Sequence, residues 1–372
     1  MRKSFALLLV LVLLMWSIVV IPSAVQAQVR TIVVPDDYAT INAAIESASD
    51  GDTILVRNGT YHENVRVTKA IILVGEDNQE TKIDGNAKEG YWVPLALRHD
   101  NAIVSNLNLC NSHAGIQLGK NNCTVVGNRI IANGYGVEVG WNSSGNKIIG
   151  NIIASNDRGI EIRGGTSILV QGNEILSNNI GIYLNQQSND NNITGNMIDN
   201  SRNDGIRIRM SWDNTFTNNT IMNSGENAIH VGFANNNTFR HNNFVNNTHQ
   251  YCDGGENVPK EMAPYYVSYT SENVFEENYW SDYQGGDYDG DGKGDSAYAV
   301  YKKNADGSPL MNPVAFPDLA VPSEHKPPVF PLLESASQLP MNEVFLVVSI
   351  VAVVLVIAGL LFYFKKHKRV TA

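Results

Sequence analysis

The chain has 372 residues and a formal net charge of −10, with 37 acidic against 27 basic residues. That balance argues against nucleic acid or anionic polymers as general partners. Its cysteines, Cys110, Cys123 and Cys252, are odd in number and too sparse for a disulfide framework.

Residues 1–27 have the layout of a secretory signal peptide. Arg2 and Lys3 precede an apolar run from Phe5 to Ile21, and small residues lead to a cut expected after Ala27. The next segment, Ala39 to Ala48, places Ile41, Ala44, Ile45 and Ala48 on one helical face. A short helix there would cap the first layer of whatever follows. The runs TILV (53–56), VRV (65–67), IILVG (71–75), TKIDG (81–85) and LALR (95–98) then read as short strands between turn residues.

From Asn106 a repeat becomes regular. Asparagine recurs at Asn106, Asn128, Asn151, Asn173, Asn196, Asn219 and Asn242, at intervals of 22 or 23 residues. In step with it run Gly115-Ile116, Gly136-Val137, Gly159-Ile160, Gly181-Ile182, Gly205-Ile206 and Ala228-Ile229. Each period holds two or three β-type runs, such as RII, VEV and KII, and shows no 3.6-residue apolar stripe. This predicts an all-β, right-handed parallel β-helix of about nine coils over 28–300, with coils about 4.8 Å apart. Stacked on its neighbours, the asparagine column would exchange side-chain amide hydrogen bonds along the axis.

Counting alternation from each Gly-Ile or Gly-Val pair, one outward column reads Gln117, Glu138, Glu161, Tyr183, Arg207 and His230. The next reads Gly119, Gly140, Arg163, Asn185, Arg209 and Gly232. Glu138 and Glu161 fall on adjacent coils, near the separation of about 5–5.5 Å of a retaining glycosidase pair, and are the catalytic candidates. As rungs of an exposed ladder beside Arg163, Arg207 and Arg209 they would equally form charge pairs. The aromatic residues Trp141, Tyr183, Trp212 and Phe233 lie near this face and could stack on sugar rings. The expected ligand-binding set is Glu138, Trp141, Glu161, Arg163, Tyr183, Arg207, Arg209 and His230, with cell-surface or extracellular glycans as partners.

Residues 278–300 form an acidic cap. Asp287, Asp289, Asp291 and Asp295 stand at positions 1, 3, 5 and 9 of a loop with Gly292 at position 6. Position 7, Lys293, offers a carbonyl, and together these match the oxygen-ligand spacing of a calcium loop; position 12 is Tyr298 and lacks the bidentate carboxylate. A structural Ca²⁺ is expected there. Prolines scattered through 301–342 predict an extended stalk. A transmembrane helix is expected over 343–364, because Val344 to Phe364 are 21 uncharged residues. The basic tail 365–372 then faces the cytoplasm and the body lies outside, as in a type I surface protein. Without the six basic residues of leader and tail, the exposed body is near −16. Seven Asn-x-Ser/Thr sequons, at Asn58, Asn122, Asn142, Asn192, Asn218, Asn236 and Asn246, are candidate glycosylation sites in an exported chain.

The segment YATINAAIESASDGDTILVRNGTYHENVRV resembles the opening of right-handed β-helix proteins, and the GN-x-I…GI-x-[IV] coils resemble the NosD-type family and the wider carbohydrate-binding and sugar-hydrolase β-helix group. NYWSDYQGGDYDGDGKGDSAY (278–298) is similar to segments closing such helices in exported archaeal proteins. The resemblance spans roughly Val29 to Val300 and concerns fold more than chemistry. It implies glycan binding, adhesion or an envelope role, with polysaccharide hydrolysis or lysis as the alternative. The polygalacturonase, pectin-esterase and pectate-lyase signatures are missing. The NosD likeness also implies a copper-maturation role, for which His241, His249, Cys252 and Met262 are the one loose group of suitable ligands.

Overall fold

The computed structural model describes residues 29–85, 93–254 and 272–315. The signal segment, the 343–364 stretch, the basic tail, Met262 and the stalk beyond residue 315 lie outside them. Among the described residues no helix is long and apolar enough to cross a membrane.

The chain winds into a parallel β-solenoid whose walls are sheets of 13, 9 and 10 strands. One coil shows how the repeat produces the fold. Lys147–Ile149 lies in the thirteen-stranded sheet, Ile152–Ala154 in the ten-stranded sheet and Arg158–Arg163 in the nine-stranded sheet. Each strand points Ile148, Ile153, Ile160 or Ile162 into the core, where none has exposed surface. The next coil repeats the arrangement in register, pairing Ile148 with Val170, Ile153 with Ile175 and Ile160 with Ile182. Short strands between left-handed turn residues, such as Gly150 and Ser155, keep each run to about one pleat of core.

The asparagine column forms the expected ladder from Asn128 to Asn242, but Asn106 falls one residue out of register: Leu107 N donates to Asn128 Oδ1, and the Asn106 side chain donates instead to the Gly75 carbonyl. Asn196 Nδ2 donates to Asn219 Oδ1 at 2.9 Å and to the Val170 and Thr194 carbonyls, while its Oδ1 accepts the Asn173 N–H and Nδ2. The same pattern links Asn128, Asn151, Asn173, Asn196, Asn219, Asn242 and Asn278. A second ladder runs Asn133, Asn156, Asn178, and a third Asn191, Asn214, Asn237, Asn273, Asn304. All seven sequon asparagines, by contrast, are exposed. Two populations of the same residue thus differ in burial, one holding coils together and one facing solvent.

The ends are closed in different ways. Ile41–Ser47 forms the cap helix, α1, with Thr40 Oγ1 accepting from Ala43 N and the Glu63 carboxylate accepting from Ile41 N and Asn42 N. Its Ile41, Ala44 and Ile45 complete the core at that end. At the other end, larger side chains stack in place of isoleucine: Phe216, Phe239 and Phe275 lie 4.6 and 4.9 Å apart, and Trp280 lies between Phe244 and Tyr298.

The start of the segment read as a stalk is packed rather than extended. Tyr298–Tyr301 pairs antiparallel with Asn304–Asp306, and the buried Asp306 ends the long asparagine ladder by accepting from Asn278 and Trp280. Leu310 N donates to Asn278 O, and Val314 exchanges two hydrogen bonds with the Asn243 side chain. The solenoid therefore extends past Val300 to about residue 315. Pro309 and Pro313 fall between these bonded residues, so they need not donate and do not interrupt the closure.

Candidate functional site

The outer face of the nine-stranded sheet gathers most of the expected ligand-binding residues. Its register places Gln117, Glu138, Glu161, Tyr183, Arg207 and His230 in one column, as alternation predicts. They point away from the core, yet Glu138, Glu161 and Tyr183 are only 5%, 0% and 6% exposed. At these three positions the column does not face solvent, contrary to what alternation alone predicts. Long side chains of the flanking columns fold over it.

One flanking column was not foreseen. Tyr135, Arg158, Asp204 and Asn227 stand directly before the glycine or alanine of each pair and also reach this face. Alternation counted from the glycine assigns them to the core, but the glycine position itself breaks the alternation. A Cβ at Gly159 would lie 2.5 Å from the Gly181 carbonyl and 3.0 Å from Ile175 Cγ2, so glycine there turns inward and lets coils stack closely. The residue before it is thereby turned outward.

These columns form a connected polar ridge. Arg98 donates to Gln117, and Gln117 Nε2 donates to Glu138 Oε2 at 2.9 Å. Arg163 Nη1 lies 3.4 Å from Glu138 Oε1. Its Nη2 lies 3.1 Å from Glu161 Oε1, a charge contact rather than an aligned hydrogen bond. Arg158 Nη1 reaches Glu161 Oε2 at 2.7 Å, and its guanidinium sits 5.2 Å from the Tyr135 ring and 5.1 Å from the Tyr183 ring. Arg207 lies on the other side of Tyr183, at 5.9 Å, and continues to Asp204 and His230. Burial disfavours the charge of Arg158 and Arg163, but Glu161 outweighs it and holds both guanidinium pKa values above their usual range. The acids lie beneath and the partly exposed arginines above, so this face presents cations although the chain as a whole is acidic.

Trp141 extends the ridge past the strand end. Its indole lies across the glycine backbone of the next coil, since a Cβ on Gly164 would fall 2.3 Å from its Cε3. The residue is still 53% exposed. Arg209 is exposed at its strand end, and Trp212 and Phe233 are half-buried in the return turns.

The acidic cap brings one side-chain oxygen each of Asp287, Asp289 and Asp295 within 4.8 Å of one another, the one such group of three among the described residues. Gly290 and Gly292 take φ of +78° and +86°, which permits the tight loop. Asp291 instead accepts from Lys293 N, and the Lys293 side chain is drawn off to Glu277 at 2.7 Å, clear of the carboxylates. The three carboxylates fit a hard divalent cation. The loose copper set does not assemble: His241 Nε2 is held 2.6 Å from Glu277 Oε2 in the turn after Thr238–Arg240, whereas His249 and Cys252 lie in the strand His249–Asp253 of another sheet.

Glu277 ties this cap to the last coils. Hydrogen bonds from Lys293 and then His241 lower its carboxyl pKa from an ordinary 4.5 to about 2. Because the folded carboxyl binds its proton less readily than the unfolded one, the stabilisation is complete above pH about 4.5 and is lost as pH falls towards about 2. Thermal melts across that window should show a steeper fall in Tm for the native chain than for Glu277→Gln. Equal slopes would contradict this.

The NosD family, described as "Periplasmic copper-binding protein (NosD)", matches residues 36–285. The chain belongs to the NosD family. No curated protein matches this NosD-family chain. Among solved structures it is similar to an alginate lyase from Paenibacillus sp. str. FPU-7, at 17% identity over 66% of this chain and 97% of that one, with a TM-score of 0.46. It is also similar to the A-module of the Azotobacter vinelandii mannuronan C-5 epimerase AlgE6, at 14% identity over 64% and 81%, with a TM-score of 0.47. The Dettilon tailspike protein gives 13% identity over 67% and 62%, with a TM-score of 0.44. Solenoids of this kind share coils without sharing chemistry.

Proposed function

We propose that this NosD-family β-helix is an exported, membrane-anchored surface protein that binds glycan along the outer face of its nine-stranded sheet. The observation that carries the reading is Trp141, a large ring lying against Gly164 and left 53% exposed, next to a ridge of guanidinium and phenol groups. An indole kept in water on a rigid scaffold offers an apolar surface to a sugar ring at little entropic cost. Neighbouring guanidinium groups supply hydrogen-bond donors to hydroxyl or carboxylate oxygens. The parallel stacking of equivalent positions repeats these groups along the axis, which suits an extended polymer better than a small solute. The full chain should bind on a glycan array, and Trp141→Ala should weaken the hit by about tenfold or more. An array with no hit would refute the proposal.

The signal segment and the 343–364 stretch support export and anchoring, and the seven exposed sequon asparagines suit glycosylation. Protease added to intact cells should remove the solenoid and leave the tail. A Ca²⁺ held by Asp287, Asp289 and Asp295, with the Lys293 carbonyl, would pin the loop that pairs with Pro309 and Met311. Ca²⁺ should raise Tm, and Asp287→Asn together with Asp289→Asn should abolish the rise. A Tm indifferent to Ca²⁺ would remove the ion from the account.

A further inference from the structure

The binding reading leaves one group on the ridge unused. Asp204 opens its strand and has no exposed surface. Its Oδ1 accepts from Asn227 Nδ2 at 2.8 Å, and its Oδ2 accepts from His230 Nδ1 at 3.0 Å and from Arg207 Nε at 2.5 Å. The fold sets this up simply: Arg207 lies three residues along the same strand, and Asn227 and His230 are the equivalents of Asp204 and Arg207 one coil later. Burial raises the Asp204 carboxyl pKa, but the bonds from His230 and Asn227 and the charge of Arg207 together bring it below the usual range. Asp204 therefore stays ionised and acts as acceptor to Nδ1. In the neutral imidazole this contact places the proton on Nδ1 and the lone pair on Nε2. Nε2 faces Gly254, where a Cβ would lie 2.8 Å from it, and the His230 side chain is 18% exposed. A residue without a side chain thus borders the free nitrogen.

The surrounding chemistry narrows the reaction. Hydrolysis by paired carboxyls needs two free acids, whereas Glu138, Glu161 and Asp204 each face an arginine. What the face offers is one oriented imidazole lone pair beside guanidinium groups. A guanidinium paired with a carboxylate neutralises it, which makes the adjacent C–H more acidic and stabilises the enolate left when that proton departs.

We propose that His230 is a general base that removes the proton α to the carboxylate of a uronate-bearing glycan, with Asp204 as its positioning residue and Arg207 and Arg209 pairing the carboxylate. The carbon–hydrogen bond breaks, the proton passes to Nε2, and the electron pair moves into the carboxylate as an enolate. Return of a proton to the carbon completes the cycle with no oxidant or reductant. In D₂O, exchange of the imidazolium proton with solvent places deuterium at that carbon. The inference rests on the glycan-binding reading of the same face.

The test incubates the full chain with polymannuronate, polyguluronate and polygalacturonate in D₂O, follows deuterium at carbon 5 by NMR, and measures binding separately by calorimetry. The expected result is exchange above buffer with at least one polymer. His230→Asn should reduce it about 100-fold or more at saturating polymer, far beyond any change in affinity. Asp204→Asn should lower the exchange rate at unchanged affinity, and Asp204→Glu should recover part of it. If Asp204→Asn does not fold, the partly exposed His230→Asn decides alone. Binding without exchange, or full exchange in His230→Asn, overturns the inference and leaves the binding reading intact. Absence of binding to all three polymers overturns it, and a glycan array likewise without hits overturns the binding reading as well.

Discussion

Asn196→Ala is expected to cost the domain about 2–6 kcal/mol. The estimate counts the Asn173 N–H, which loses Asn196 Oδ1 as its acceptor, and the lost bond from the Asn196 amide to Asn219 Oδ1, both inside a fully buried column, at about 1–3 kcal/mol for each unmade bond; Asn173 Nδ2 keeps the Ile148 and Gln171 carbonyls. The Val170 and Thr194 carbonyls lose a donor in the same substitution. No water can replace these partners, because Asn173, Asn196 and Asn219 have no exposed surface. Asn192→Ala, at an exposed strand position of the neighbouring sheet, should change stability by less than about 0.5 kcal/mol. Chemical denaturation of both variants separates the cases. A small loss for Asn196→Ala would mean that the ladder decorates the turn rather than holding the coils together.

Glu161→Gln should cost about 2–4 kcal/mol. Glu161 has no exposed surface and faces Arg158 and Arg163, so an amide in its place leaves two crowded guanidinium groups without their counter-charge. Both arginines keep some contact with water, at 27% and 30% side-chain exposure, which limits the loss. Glu138→Gln should cost less, because Glu138 meets one of these arginines at 3.4 Å and an amide from Gln117. Denaturation midpoints for the two variants give the comparison directly. Equal, negligible losses would imply that neither carboxylate supports the ridge.

The parts of the fold visible in the sequence are those set by strict period. Asn128 through Asn242 recur without substitution, so their stacking could be read before any coordinates. The other ladders are masked by exchange: Ser201 and Ser224 interrupt the column of Asn133, Asn156 and Asn178, and Ile168 interrupts the column of Asn191. The outward column from Gln117 to His230 was legible from alternation alone. Its covering was not, because burial of Glu161 and Tyr183 depends on how Arg158 and Arg163 bend over neighbouring coils. Arg158, Tyr135 and Asp204 were missed for a local reason. The glycine at each coil corner turns inward, and strict alternation fails at one position per turn. A glycine recurring at one strand position, with a polar or aromatic residue before it, is the signal that would have found them.

The whole-chain charge does not describe this face. A balance of −10 argues against anionic partners in general. On this face the acids are buried beneath the arginines, so the local surface has the opposite character.

The central claim, that this one face binds glycan, is tested most directly by calorimetric titration of an array-identified oligosaccharide into three full-length proteins. The native chain and Lys147→Ala, altered at an exposed position of the thirteen-stranded sheet, should bind alike. Arg163→Gln should bind at least about tenfold more weakly. Undiminished binding by Arg163→Gln, or a loss confined to Lys147→Ala, would place the ligand elsewhere and contradict the account.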